Sequence, residues 1–223
     1  MPTTIEAVLF DLDGLMVDSE AHAVETWRAV LARRGVELDP ATIDAMLGQR
    51  LDDTARLLVE RLALADDPRA LGAEKSALQI ERLDGNVTAM PGLFELIDAL
   101  DSRGMKRAVA SSGVRPYVEA VLGAIGVARR FEVVVTGDDV ARGKPAPDVF
   151  LRAAERLGVR PPACLALEDA PNGIAATKAA GMRCVAVPNA FTRTLNLSAA
   201  DVILPSLHAV RDALDTLLNR PTL

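Results

Sequence analysis

One apolar stretch near the amino terminus, Ile5 to Phe10, stands far ahead of any other strand-like sequence in the chain. Ala7, Val8, Leu9 and Phe10 are all apolar, the pattern of a strand covered on both faces rather than one exposed on alternate residues. From Asp18 to Asn86 no further strand pattern occurs. The sequence there reads as helices: one capped by Ser19 with Ala23, Trp27, Val30 and Leu31 on one face, then Pro40 to Leu47, Leu51 to Leu64 and about Pro68 to Leu83. Turn signals at Asp84-Gly85-Asn86 and Pro91-Gly92 close this section. A lone strand cannot bury itself, so Ile5 to Phe10 must join strands that come later, and the helical section must be an insertion.

Those later strands alternate with helices. Leu93 to Ser102 reads as helix, Arg107 to Ala110 as strand, Pro116 to Ile125 as helix and Phe131 to Val135 as strand. Pro147 to Leu157 is helical, Cys164 to Leu167 a strand and Pro171 to Ala180 a helix. Arg183 to Val187 and Val202 to Leu204 are strands, and Leu207 to Leu218 a closing helix. This alternation predicts an α/β fold, a parallel sheet with helices on both faces. Aromatic residues make up only 3% of the 223, so the core must be built from Ala, Leu and Val, as helices packed on a parallel sheet require. The net charge of -6, with no long basic tract, argues against nucleic acid. No apolar run reaches the roughly 18 residues of a membrane span, and the first apolar run lacks the flanks of a secretory signal. A cytoplasmic protein with no membrane or nucleic-acid partner is expected. Its oligomeric state is unreadable and a monomer is compatible with the sequence. Cys164 and Cys184 sit in apolar runs and read as buried small hydrophobes, not as a disulfide.

Ligands of open parallel sheets bind beyond the carboxyl ends of the strands. The first strand ends in Asp11-Leu12-Asp13-Gly14, and an extended chain puts Asp11 and Asp13 on one side. Two like charges so placed need a positive partner, and a divalent cation with its taste for oxygen is suitable. The other strand ends supply Ser111-Ser112-Gly113, then Thr136-Gly137-Asp138-Asp139 with Gly143-Lys144-Pro145 beyond, then Glu168-Asp169. Carboxylates, a hydroxyl and an ammonium converging on one edge suit phosphoryl transfer. Taken singly, Ser111 could cap a turn, Glu168 and Asp169 could cap the helix begun by Pro171, and Asp138 or Asp139 could be a solvated loop acid or a support for a metal.

Together, Asp11-Leu12-Asp13-Gly14, Ser111, Gly143-Lys144-Pro145-Ala146-Pro147-Asp148 and Glu168-Asp169, with Asn172-Gly173 and Ala179-Ala180-Gly181-Met182 behind them, resemble the haloacid dehalogenase superfamily. Within it the chain is similar to the β-phosphoglucomutase-like phosphatases. The resemblance implies a Rossmann-like core formed by residues 1–17 and 87–223, with an all-helical cap at 18–86. It implies a Mg²⁺-dependent phosphatase acting on a small phosphorylated metabolite, sugar phosphates first among them. Asp11 would be the nucleophile that forms an aspartyl phosphate, and Asp13 the acid/base, its backbone carbonyl also meeting the metal. Asp169 would be a metal ligand and Glu168 a ligand through water or a support. Ser111 and Lys144 would hold the phosphoryl group.

The cap would exclude water and meet the rest of the substrate, hinged near Leu15 to Ser19 and Asn86 to Pro91. Arg50, in Gly48-Gln49-Arg50, falls where the resemblance implies an arginine for a sugar or distal phosphate; an exposed salt-bridging arginine is the alternative. Lys75 is a weaker candidate, read as a solvated helix lysine, and Trp27 reads as cap core. A phosphosugar mutase of the same family would carry a cap histidine where Trp27 aligns Ala23, with His22 one position away. It would also have a lysine soon after the serine, where this chain has Gly113-Val114-Arg115. The phosphatase is therefore preferred to the mutase. A dehalogenase would need neither Asp13 nor Mg²⁺, and a catalytically silent phosphate-binding module would not need every motif intact.

Overall fold

The computed structural model describes residues 4–46, 49–83 and 87–219. The first strand, β1 (Ala7–Phe10), is wholly buried, as its unbroken apolar sequence requires. Two residues of strand, β2 (Val17–Asp18), follow. Four helices come next: α1 (Glu20–Ala32), α2 (Pro40–Met46), α3 (Leu51–Arg61) and α4 (Pro68–Glu81). The chain returns through β3 (Thr88–Ala89) to α5 (Leu93–Asp101), β4 (Lys106–Ala110), α6 (Arg115–Ala124), β5 (Val133–Val135) and α7 (Asp148–Leu157). It ends with β6 (Cys164–Glu168), α8 (Pro171–Ala179), β7 (Arg183–Ala186), β8 (Val202–Ile203), α9 (Leu207–Asp212) and α10 (Leu214–Asn219).

Among the described residues one six-stranded sheet runs β5-β4-β1-β6-β7-β8, every neighbouring pair parallel. The first strand in sequence is thus central, flanked by β4 and β6. Chain connections diverge to either side of it, which opens a crevice at its carboxyl end. Alternation along β1 feeds both layers. Val8 and Phe10 join a core with Val109, Leu165, Leu167 and helix residues Leu96, Val118 and Val210. Ala7 and Leu9 join Ala108, Ala166, Phe150 and Ala153 on the opposite face. The many alanines let α7 lie close to the sheet. Cys164 and Cys184 are free and buried in these strands, and burial pushes the Cys164 thiol up to about 12.

The inserted helices carry a core of their own, with Trp27, Val30, Leu31, Ala55, Leu58, Leu71 and Leu78 among its members. Both crossings to the sheet region run through a small antiparallel ribbon in which Val17 pairs with Ala89 and Asp18 with Thr88. No strand was expected there, because two-residue strands are too short to leave a periodic pattern.

Ser19 sits at the N-cap of α1 but makes no capping bond; its hydroxyl is used elsewhere, as described below. The segment from Phe131 enters its strand only at Val133, after a 3₁₀ turn at Ala128–Arg130. The closing helix is two helices, broken at Ala213, whose N–H is shared between the carbonyls of Ala209 and Val210. Leu47, Gly48 and the turn at Asp84-Gly85-Asn86 lie outside the described residues. Among the described residues no helix is long and apolar enough to cross a membrane.

Truncating Leu58, fully buried in the helical insertion, leaves a hole that α1, α3 and α4 fill only partly. Leu58→Ala should cost about 2–5 kcal/mol in that region. Amide exchange should accelerate across α1, α3 and α4 while β1, β4 and β6 keep their protection.

Candidate active site

The carboxyl edge of β1, β4 and β6 gathers most of the residues singled out in the sequence. Asp11 follows β1, and its N–H donates to the carbonyl of Leu167, so the backbone of β6 holds it against that strand's end. Glu168 is the last residue of β6 and Asp169 the first beyond it. Carboxylate oxygens of Asp11, Glu168 and Asp169 lie within 4.8 Å of one another, all three residues buried. Lys144 reaches between them: its Nζ is 2.5 Å from Asp11 Oδ1 and 2.5 Å from Glu168 Oε1, with the side chain 7% exposed. The other oxygen of Glu168 accepts from the Asp169 N–H at 3.1 Å. Glu168 is therefore committed to Lys144 and its neighbour's backbone, which fits a supporting place behind Asp11 and Asp169.

Two glycines make room for this cluster. A Cβ on Gly173, in the first turn of α8, would overlap the Glu168 carboxylate. Gly14 has φ +80°, and a Cβ there would lie 2.5 Å from Asp169 Oδ2.

The charge balance of the cluster is decisive. Burial pushes Asp11 up to about 7, the Lys144 ammonium pulling against it and Glu168 and Asp13 adding to the rise. Asp169 is raised as well, by burial and by the charges of Glu168 and Asp11. Burial disfavours the charge on Lys144, yet Asp11 and Glu168 outweigh it and hold the ammonium above its ordinary value. With all three carboxylates ionised, one ammonium leaves two negative charges, the deficit that a divalent cation with oxygen ligands would cancel. The residues present fit such an ion.

Asp13 faces a different environment. Its Oδ1 accepts from Ser19 Oγ and from the Tyr117 hydroxyl, each at 2.6 Å. Its side chain is thus outside the carboxylate cluster, and only its backbone carbonyl remains as the metal contact the resemblance implies. Burial and the Asp13 charge push the Tyr117 phenol well above its ordinary value, so it stays protonated and donates. Ser111 is buried at the end of β4, and its Oγ accepts from the Gly113 N–H at 3.0 Å. That bond uses an oxygen lone pair and leaves the hydroxyl proton to donate.

A cavity of about 600 Å³ opens from this edge to the helical insertion. Asp11, Asp13, Lys144 and Asp169 line its floor, while Glu20, Trp27, Arg50 and Lys75 line the opposite wall. Arg50 lies across the backbone at Gly143, where a Cβ would overlap its side chain, and its Nε is buried without a hydrogen-bond partner. Lys75 is not a solvated lysine: it is buried, bonded to the Gln79 side-chain oxygen and 5.8 Å from the Trp27 ring centroid. Burial brings Lys75 down to about 8 against the pull of Asp13 and Glu20. Glu20 is pushed up to about 7 by burial and Asp13, with Lys75 opposing. Trp27 packs in the core of the inserted helices, with an edge on the cavity.

Asp138 and Asp139 take the structural role. Asp138 accepts from the Arg115 N–H, and Asp139 binds Thr136, Arg115 and Arg156. The Thr136 N–H and Arg156 overcome burial and bring Asp139 down to about 2. His22 is also structural, its Nε2 3.1 Å from the Gln79 carbonyl, while Ala23 lines the cavity.

The sequence profile of the haloacid dehalogenase-like hydrolases matches residues 5–181. The chain belongs to that family. It is 34% identical to protein CbbY of Rhodobacter capsulatus over 215 residues, covering 92% of this chain and 95% of the relative. It is 36% identical to the fructose-1-phosphate phosphatase YqaB of Escherichia coli over 182 residues, 81% of this chain and 95% of the relative. Among solved structures, CbbY from Rhodobacter sphaeroides in complex with phosphate superimposes with a TM-score of 0.84 at 28% identity, covering 92% of this chain and 96% of that one. The α/β fold of this family is what that structure shares with the chain.

Sequence reasoning passed over Tyr117, Glu20 and Asn189. Tyr117 looks like any aromatic on a buried helix face. Glu20 looks like a favourable acid in a first turn. Asn189 looks like a turn residue after Pro188, yet its Nδ2 is 2.8 Å from Asp169 Oδ2.

Asp11 and Glu20 have folded pKa values raised above 3.8 and 4.5, so their contribution favours folding at low pH and fades as pH climbs through about 7. In chelator-treated protein, urea stability should therefore decline between about pH 4 and pH 7. Glu20→Gln should flatten part of that decline. A metal-free stability that instead rose across this range would contradict the raised values.

Proposed function

We propose that this chain is a Mg²⁺-dependent phosphatase that cleaves a small phosphorylated metabolite, a sugar phosphate by preference, through an aspartyl phosphate on Asp11. The observation that carries the reading is Lys144 wedged between Asp11 and Glu168, with Asp169 completing the trio. Asp11 and Asp169 would hold the Mg²⁺, with the Asp13 carbonyl, and Glu168 would brace them. The ion would supply positive charge that keeps Asp11 ionised and offsets the phosphoryl oxygens.

The chain's own residues carry each step. Asp11 attacks phosphorus and the bond to the ester oxygen breaks, while Asp13 gives a proton to the departing alcohol. Asp13 then takes a proton from water as the water attacks the aspartyl phosphate, releasing inorganic phosphate and restoring Asp11. Lys144 and Ser111 hold the phosphoryl oxygens throughout. Because Ser19 and Tyr117 both occupy Oδ1 of Asp13, Oδ2 is the oxygen that exchanges the proton.

The helices at 18–86 act as the cap, moving about the Val17–Asp18 and Thr88–Ala89 ribbon. Arg50, with its unpartnered buried Nε, and the Glu20–Lys75–Gln79 group face the alcohol part of the substrate. Such a wall of paired donors and acceptors suits a polyhydroxylated leaving group, which agrees with the sugar phosphate named for the YqaB relative. Ala23 offers no imidazole to hold Asp13 for repeated transfer between sugar oxygens, which favours hydrolysis over mutase chemistry.

A screen of phosphorylated sugars and polyols, read as phosphate release with and without Mg²⁺, should find turnover that chelation abolishes. Asp11→Asn should lose all measurable turnover with its melting transition intact. Asp13→Asn should lower kcat by about 10²–10⁴-fold. Tyr117→Phe should cost less, lowering kcat with KM nearly unchanged. Wild-type rates in Asp11→Asn would overturn the nucleophile assignment.

A further inference from the structure

Asn189 follows β7 and spends its entire side-chain amide on three separate parts of the site. Its Nδ2 donates to Asp169 Oδ2 at 2.8 Å and to the Gly14 carbonyl at 3.1 Å. Its Oδ1 accepts from the N–H groups of Phe191 at 2.8 Å and Thr192 at 3.0 Å. An asparagine amide has two donor hydrogens and two acceptor lone pairs, so every one of its bonds is made. The amide orientation is fixed by its partners. Turned over, the oxygen would face a carboxylate and a carbonyl, and the nitrogen would face two N–H groups.

The backbone adds to the anchorage. The Asn189 N–H donates to Thr192 Oγ1 and the Asn189 carbonyl accepts from the Arg193 N–H, so residues 189–193 fold around this one residue. That segment is a wall of the cavity: Phe191, Thr192, Thr194 and Leu195 line it, and Phe191 and Leu195 remain well exposed. At the other end, the N–H of Gly14 bonds the carbonyl of Val17, the first residue of the ribbon leading to the helical insertion. A Cβ on Gly14 would lie 2.6 Å from Asn189 Nδ2, so the close approach depends on glycine at 14 as well as asparagine at 189.

We propose that Asn189 is a positioning residue that couples cation binding at Asp169 to the placement of the cavity wall at 188–195. This deepens the phosphatase reading and rests on it, since the carboxylate cluster must bind Mg²⁺. When a cation fixes Asp169, the Asn189 amide is fixed with it, and the N–H groups of Phe191 and Thr192 are held against Oδ1. The coupling is reciprocal, so freeing the wall weakens the cation site by the same factor. Partners that orient a metal ligand from behind typically govern 10–100-fold in affinity.

The test uses the full chain and Mg²⁺ alone, without substrate. In the wild-type protein, Mg²⁺ should slow amide exchange at Phe191 and Thr192, a change that needs no variant to be seen. Asn189→Ala should bind Mg²⁺ about tenfold more weakly by calorimetry, or worse. The same two amides should exchange quickly and no longer respond to the ion. Asn189→Asp keeps the acceptor and loses both donors, so it should retain protection of those amides in metal-free protein. Wild-type protein that binds Mg²⁺ with no change at Phe191 and Thr192, or Asn189→Ala with wild-type affinity, would overturn the coupling alone. Wild-type protein that binds no Mg²⁺ would overturn both the coupling and the reading beneath it.

Discussion

Three buried carboxylates gathered around one ammonium is an arrangement that a protein interior does not tolerate for free. Asp11, Glu168 and Asp169 carry more charge than Lys144 can cancel, and removing such groups from water costs far more than ordinary packing returns. The surrounding fold is arranged to hold this imbalance open. β1 and β6 lie side by side so that Asp11 and Asp169 emerge together, Gly173 yields space to Glu168, and Gly14 lets the chain turn against Asp169. The rise in the Asp11 and Asp169 pKa values is the electrostatic cost of that arrangement without a cation.

The second consequence is a division between two aspartates only two residues apart. Asp11 is in contact with an ammonium and two carboxylates, whereas Asp13 is hydrogen-bonded by two neutral hydroxyls, with Glu20 and Lys75 farther off. One of these, Ser19, begins the helical insertion, and the other, Tyr117, belongs to α6 of the sheet region. The same carboxylate is therefore held jointly by the core and by the root of the inserted helices. This gives the two acids separate surroundings, which acid/base chemistry at neutral pH requires.

Much of this was legible in the sequence, for a physical reason. Strands covered on both faces carry unbroken apolar runs, so Ala7–Phe10, Ala108–Ala110 and Cys164–Leu167 declare themselves, and chemistry follows at their carboxyl ends by the geometry of parallel sheets. The positions of Asp11, Lys144, Glu168 and Asp169 were readable in this way. What escaped detection acts through contacts that have no sequence period. Lys75 lies in a helix where lysine is ordinarily solvated, yet tertiary packing buries it beside Trp27. Ser19 looks like a helix cap but gives its hydroxyl to Asp13. The Val17–Asp18 and Thr88–Ala89 ribbon is held by pairing between residues distant in sequence, and no local pattern announces it.

The most direct test of the account is a crystal structure of the wild-type chain grown with Mg²⁺. One ion should be held by the side chains of Asp11 and Asp169. Lys144 should remain bound to Glu168. Ion density elsewhere, or an Asp11 and Asp169 that turn apart in saturating Mg²⁺, would contradict it.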